Sequence, residues 1–102
     1  MPETLEGWKL VRHNGGEHTQ FLYAKGKRSF SLFLSETKSL QPLKAQEGWK
    51  AILLGTETSA FLHKDSRSPN RSAIVFKHQM QRRMIMGKLS ELELVSLAKQ
   101  LQ

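Results

Sequence analysis

Along residues 28–35, RSFSLFLS, apolar and polar positions alternate. Phe30, Leu32 and Leu34 fall on one side of an extended chain and Ser29, Ser31 and Ser35 on the other, with Phe33 interrupting the polar side. A period of two marks a strand with one buried face. Two similar segments precede it, WKLVRH (8–13) and TQFLYA (19–24). Asn14-Gly15 separates them, a dipeptide that tolerates positive φ and signals a hairpin. With the KGK turn at 25–27, the three segments predict an antiparallel meander.

The pattern lapses over residues 36–48, where Pro42 and Gly48 indicate a long connection. WKAILLG (49–55) and TSAFLH (58–63) predict a strand pair around Gly55, and KDSRSPNRS (64–72) a polar loop. AIVFKH (73–78) and RRMIMG (82–87) predict a last hairpin through Gln79–Gln81. In its second strand, Met84 and Met86 are assigned to the core face together with Arg82, and Arg83 to the opposite face.

The period then changes. Ser90 and Glu93 make an S-x-x-E capping box, and Leu89 and Leu94 take the positions of a hydrophobic staple. Leu94, Leu97, Ala98 and Leu101 follow at i, i+3, i+4 and i+7, a single apolar stripe. So short a helix is not stable alone in water, so the stripe must be buried. Covering the apolar face of the sheet is the simplest burial; docking into a groove of another chain is the competing one. The expected fold class is α+β: an antiparallel sheet of about six to seven strands covered by one C-terminal amphipathic helix.

A length of 102 residues, 38% hydrophobic and 25% charged, fits one domain over residues 1–102. No apolar run is longer than the four residues of AILL, far short of a membrane span. The opening MPETLEGW has acids and a proline where a secretion signal has basic and then apolar residues, so we expect no signal or anchor within the chain. Excision from a longer precursor stays open. With no cysteine, disulfides and thiolate chemistry are excluded.

The net charge of +7 changes the picture most. It favours contact with nucleic acid, phospholipid headgroups or an acidic protein segment, unless it only solvates the surface. Lys77, His78, Arg82 and Arg83 surround one hairpin tip, and Lys25, Lys27 and Arg28 another. Lys64, Arg67 and Arg71 lie in a loop. If neighbouring strands bring these turns together, they form a positive rim, and we take Lys25, Lys27, Arg28, Lys77, Arg82 and Arg83 as the candidate partner-binding residues. The aromatic residues occupy strand positions expected to be buried, whereas a single-strand binder displays them for base stacking. Nucleic acid is therefore the second reading.

Catalysis finds little support. His13 and His18 flank a turn containing Glu17, but a pair and one acid fall short of the three or four ligands of a zinc site. The sequence has no G-x-S-x-G, H-E-x-x-H or phosphate-cradling glycine loop. We expect no enzyme, no metal and no cofactor.

Three stretches together suggest a family: GWKLV (7–11), LYAKGKRSFSLFLSE (22–36) and MIMGKLSELELVSLAKQL (84–101). From Gly7 to Leu101 the chain resembles the C-terminal domain of the MucB/RseB family, periplasmic regulators of an envelope-stress sigma factor. It is also similar to uncharacterised C-terminal domains of bacterial lipoproteins and anti-sigma factors. The resemblance implies a non-catalytic regulatory module that works beside a larger lipid-binding-like domain and contacts an anti-sigma factor; it carries over no contact residue. It implies an extracytoplasmic location for a chain excised from a precursor. A chain that starts at Met1 would be cytoplasmic.

Overall fold

The computed structural model describes residues 2–16, 18–36, 47–55, 58–64, 71–78 and 80–102. Its strands are β1 (Thr4–Leu5), β2 (Trp8–Asn14), β3 (His18–Lys25), β4 (Arg28–Glu36), β5 (Lys50–Leu54), β6 (Thr58–Lys64), β7 (Ser72–His78) and β8 (Gln81–Gly87); one helix, α1 (Glu91–Gln100), follows. The strands form one antiparallel sheet in the order β1-β2-β3-β4-β8-β7-β6-β5. Two meanders of four strands, β1–β4 and β5–β8, are thus joined where β4 pairs with β8.

The fold is α+β as expected, with eight strands rather than six or seven. The addition is β1, whose two residues are too few to show a period. Glu6 and Gly7, at φ 50° and 86°, turn the chain so that Leu5 pairs with Trp8. The Asn14-Gly15 expectation needs a correction: β2 runs on through Asn14, which pairs with Gln20 in the ladder instead of occupying the turn. Earlier in β2 the register shifts between Leu10 and Arg12. This bulge leaves Val11 57% exposed and returns the chain to register with His13 opposite Phe21.

Cross-strand register assigns the faces. The row Phe21–Leu32–Ile85–Ile74–Leu62 runs through five strands and is buried throughout. It faces α1, whose Leu94, Leu97 and Ala98 are fully buried in the same core. The helix starts as its sequence predicts: Ser90 Oγ accepts from the Glu93 amide at 3.2 Å, and Glu93 Oε1 accepts from the Ser90 amide at 3.1 Å. The lid reading of the helix holds.

The face assignment in β8 is reversed. Ile85 lies in the core row and is fully buried, while Met84 and Met86, with Arg82, face away from the helix. Three consecutive apolar residues, Met84-Ile85-Met86, make either parity compatible with a buried face. Gly87 resolves it. It lies opposite Phe30, and a Cβ there would come within 2.8 Å of the Phe30 Cβ, so the helix side of this position has no room for a side chain.

Arg83 consequently lies on the helix side, between Leu34 and Phe76 in the ladder. Its Nη1 donates to the Leu101 carbonyl and its Nε to Gln81 Oε1 at 2.9 Å. The guanidinium thus caps the end of α1, where the macrodipole favours a cation. Burial lowers its pKa, yet an arginine stays charged.

A basic end of the sheet

Because Phe30, Gly87, Ser72 and Lys64 are successive partners across β4, β8, β7 and β6, the ends of these strands lie level. The β3–β4 turn, the start of β7 and the link from β8 to α1 therefore share one end of the sheet. That end carries Lys25, Lys27, Arg28, Lys64, Arg71 and Lys88, all exposed. Gly26, at φ 63°, makes the tight turn that sets Lys25 opposite Arg28.

The six candidate residues do not form the single rim expected of them. Lys25, Lys27 and Arg28 lie at this end; Lys77, Arg82 and Arg83 lie at the other. Arg82 pairs with Ser35 and Lys77, seven positions along β4 from Arg28, or about 23 Å at the usual rise per residue. The cause is strand direction. β4 and β8 each begin at a hairpin turn, and as antiparallel neighbours they put those turns at opposite ends. Arg83 is further removed, being engaged by the end of the helix. At that far end Glu36 accepts from Gln81 at 3.4 Å and shares a depression of about 350 Å³ with His78 and Arg83. Arg67 lies outside the described residues, as do Glu17, Gln79 and residues 37–46.

Arg28 organises the near end. Its Nη2 donates to Glu93 Oε1 at 2.7 Å and to the Lys88 carbonyl at 3.1 Å, and the guanidinium carbon lies 5.2 Å from the centre of the Trp8 ring. Trp8 is itself held edge-on to Phe30 at 4.9 Å. The hydrogen bond from Arg28 holds the Glu93 carboxyl below the usual glutamate range, and the same bond raises Arg28. Around this anchor a depression of about 760 Å³ is lined by Lys27, Arg28, Arg71 and Lys88, with Ser31 and Met86 below them. Four cations around one concavity attract carboxylates or phosphates.

Lys88 is the member that sequence reasoning missed. Its signal was present: it stands between a glycine forced by close strand packing and the Ser90 cap, a position fixed at the helix start. Two of the histidines take aromatic partners. His13 stacks on Phe21 at 4.4 Å, and His63 stacks on Trp49 at 4.9 Å with Nδ1 3.2 Å from the Gly48 carbonyl. Among the described residues, no three of His, Asp and Glu are grouped so as to hold a metal ion. No helix among them is long and apolar enough to cross a membrane. Comparison with protein-family models, curated proteins and solved structures found no match for the chain.

Proposed function

We propose that the chain is a non-catalytic binding domain whose basic end takes an acidic segment of a partner protein. The observation that carries this reading is the concavity between Lys27, Arg28, Arg71 and Lys88. Arg28 is fixed there by Glu93 and Trp8, whereas Lys27, Arg71 and Lys88 have no ion-pair partner among the described residues. Such rim charges act mainly by speeding encounter with a complementary partner. The resemblance to the MucB/RseB C-terminal domain supplies the setting proposed for it: regulation of envelope stress through an anti-sigma-type protein, outside the cytoplasmic membrane.

Nucleic acid is the competing partner, favoured by the net charge of +7. Against it, the aromatics beside Arg28, Trp8, Tyr23 and Phe30, are buried in the core, and the half-buried Trp49 near Lys64 already stacks on His63. Fluorescence anisotropy with a labelled Glu-rich peptide, a single-stranded oligonucleotide and anionic vesicles tests the choice. The peptide should bind, and Lys27→Glu combined with Arg71→Glu should abolish most of its binding and salt dependence. Equal binding of the peptide by the double variant would overturn the site. An oligonucleotide or vesicle complex tighter than the peptide complex would overturn the partner.

A further inference from the structure

On the other side of Lys88 lies a second concavity, of about 510 Å³, between the start of β5, the β6 and β7 ends and the link into α1. It combines two chemistries. Lys50, Lys64 and Lys88 supply three ammonium groups, and the edges of Leu62 and Leu89, 6% and 8% exposed, form an apolar floor with Leu94 wholly buried behind them. Glu91 is the opposing charge, and His63 completes the wall with its ring beside the Gly48 carbonyl. The wall is built firmly. Ser72, itself buried, donates to the Leu89 carbonyl at 2.5 Å and fixes the chain where it leaves the sheet. At the start of α1 the Glu93 amide is already bonded to Ser90 Oγ.

We propose that this concavity is a binding site for a small phosphomonoester with an apolar body. The volume lies within the ~300–1,000 Å³ of small-molecule sites, and such sites pair an apolar lining with a few charged groups that orient the ligand. Lysine binds phosphate as a point charge, without the planar geometry that would select a carboxylate. A phosphate dianion matches three ammonium groups opposed by one carboxylate, and the leucine floor takes the body. An apolar body can cover the edges of Leu62 and Leu89 and the methylene stems of the lysines, which an inorganic ion cannot. The site adjoins the one proposed for the acidic segment and shares Lys88 with it; Lys50 and Lys64 belong to it alone, and Lys27 and Arg71 to the other.

The test is a titration of the full, isotopically labelled chain with phenyl phosphate, inorganic phosphate and phenol, followed by amide chemical shifts. Phenyl phosphate should saturate, bind more tightly than either fragment, and perturb Lys50, His63, Lys64 and residues 88–91. Lys50→Ala combined with Lys64→Ala should weaken it about tenfold or more, as loss of charge-assisted bonds does. Glu91→Gln should tighten it, and Lys27→Ala should leave it unchanged. Both lysines are exposed, and an unchanged amide spectrum confirms that the double variant is folded. Three results would each overturn the site: shifts spread over every cation of the surface, inorganic phosphate binding as tightly as its phenyl ester, or wild-type affinity in the double variant.

Discussion

One oxygen of Glu93 serves two elements: Oε1 accepts from the Ser90 amide at 3.1 Å and from Arg28 Nη2 at 2.7 Å. The carboxylate that closes the start of the helix therefore also ties it to β4. Arg28 in turn bonds the Lys88 carbonyl, so one side chain holds both the link from the strand and the start of the helix.

Replacing Glu93 should show both losses. Glu93→Ala removes the return bond of the capping box and the ion pair, and should cost about 0.5–2 kcal/mol, the range for a lost cap. The pair is partly exposed, which limits its share. The pH dependence has a definite sign. The folded carboxyl lies below its ordinary value of 4.5, so its stabilisation is present above that value and is lost as pH falls through the folded pKa. Denaturant midpoints of wild type and Glu93→Gln should differ near neutrality and converge in acid. A gap that persists undiminished at low pH would show that the charge is not what matters.

The helix should be indispensable to the fold. Leu97 is fully buried in the core shared with the central sheet row, and Leu97→Ala should cost about 2–5 kcal/mol. Removing residues 90–102 should eliminate the cooperative transition in thermal melts. The exposed Leu92, 84% accessible on the same helix, provides the control: Leu92→Ala should shift stability by no more than about 0.5 kcal/mol.

Gly87 should tolerate no side chain. A Cβ there would stand 2.8 Å from the Phe30 Cβ and 3.0 Å from its Cα, and β4 and β8 cannot separate without breaking the join between the two meanders. Gly87→Ala should therefore destabilise by about 1–3 kcal/mol, as overpacking does. Gly15, where nothing lies within 4 Å of the added carbon, should accept alanine nearly neutrally. Equal midpoints for the two variants would contradict the close approach.

These relationships explain which parts of the molecule were legible in the sequence. Seven of the eight strands and the helix are marked by alternation, short apolar runs or caps, as in the serine–apolar alternation of β4 and the Ser90–Glu93 box. The pairing of β4 with β8 does not. It joins Leu32 to Ile85 across more than fifty residues of chain, and no turn residue records it. The composition of the basic end depended on that pairing. Lys25, Lys27 and Arg28 read as one cluster because they are close neighbours around a turn. Their separation from Lys77 and Arg82, and their meeting with Lys88, followed from strand direction alone.

Arg83 offers the sharpest contrast with its neighbour. Sequence alternation placed it on the outer face; in the structure it lies half-buried beneath the helix end, its Nη1 bonded to the Leu101 carbonyl. Arg83→Ala should leave that carbonyl without its charged donor and cost about 1–3 kcal/mol. Arg83→Glu should cost more, because it turns a partly buried carboxylate toward the negative end of the helix dipole. Arg82 is exposed on the opposite face, and Arg82→Glu should fall within about 0.5 kcal/mol of wild type. Urea unfolding of the three variants orders them directly. Hydrogen exchange adds the mechanism: the last turn of α1 should lose protection in Arg83→Ala while its capped first turn keeps it. If Arg82→Glu proved the more damaging change, the faces of β8 would have to be exchanged and Met84 and Met86 returned to the core.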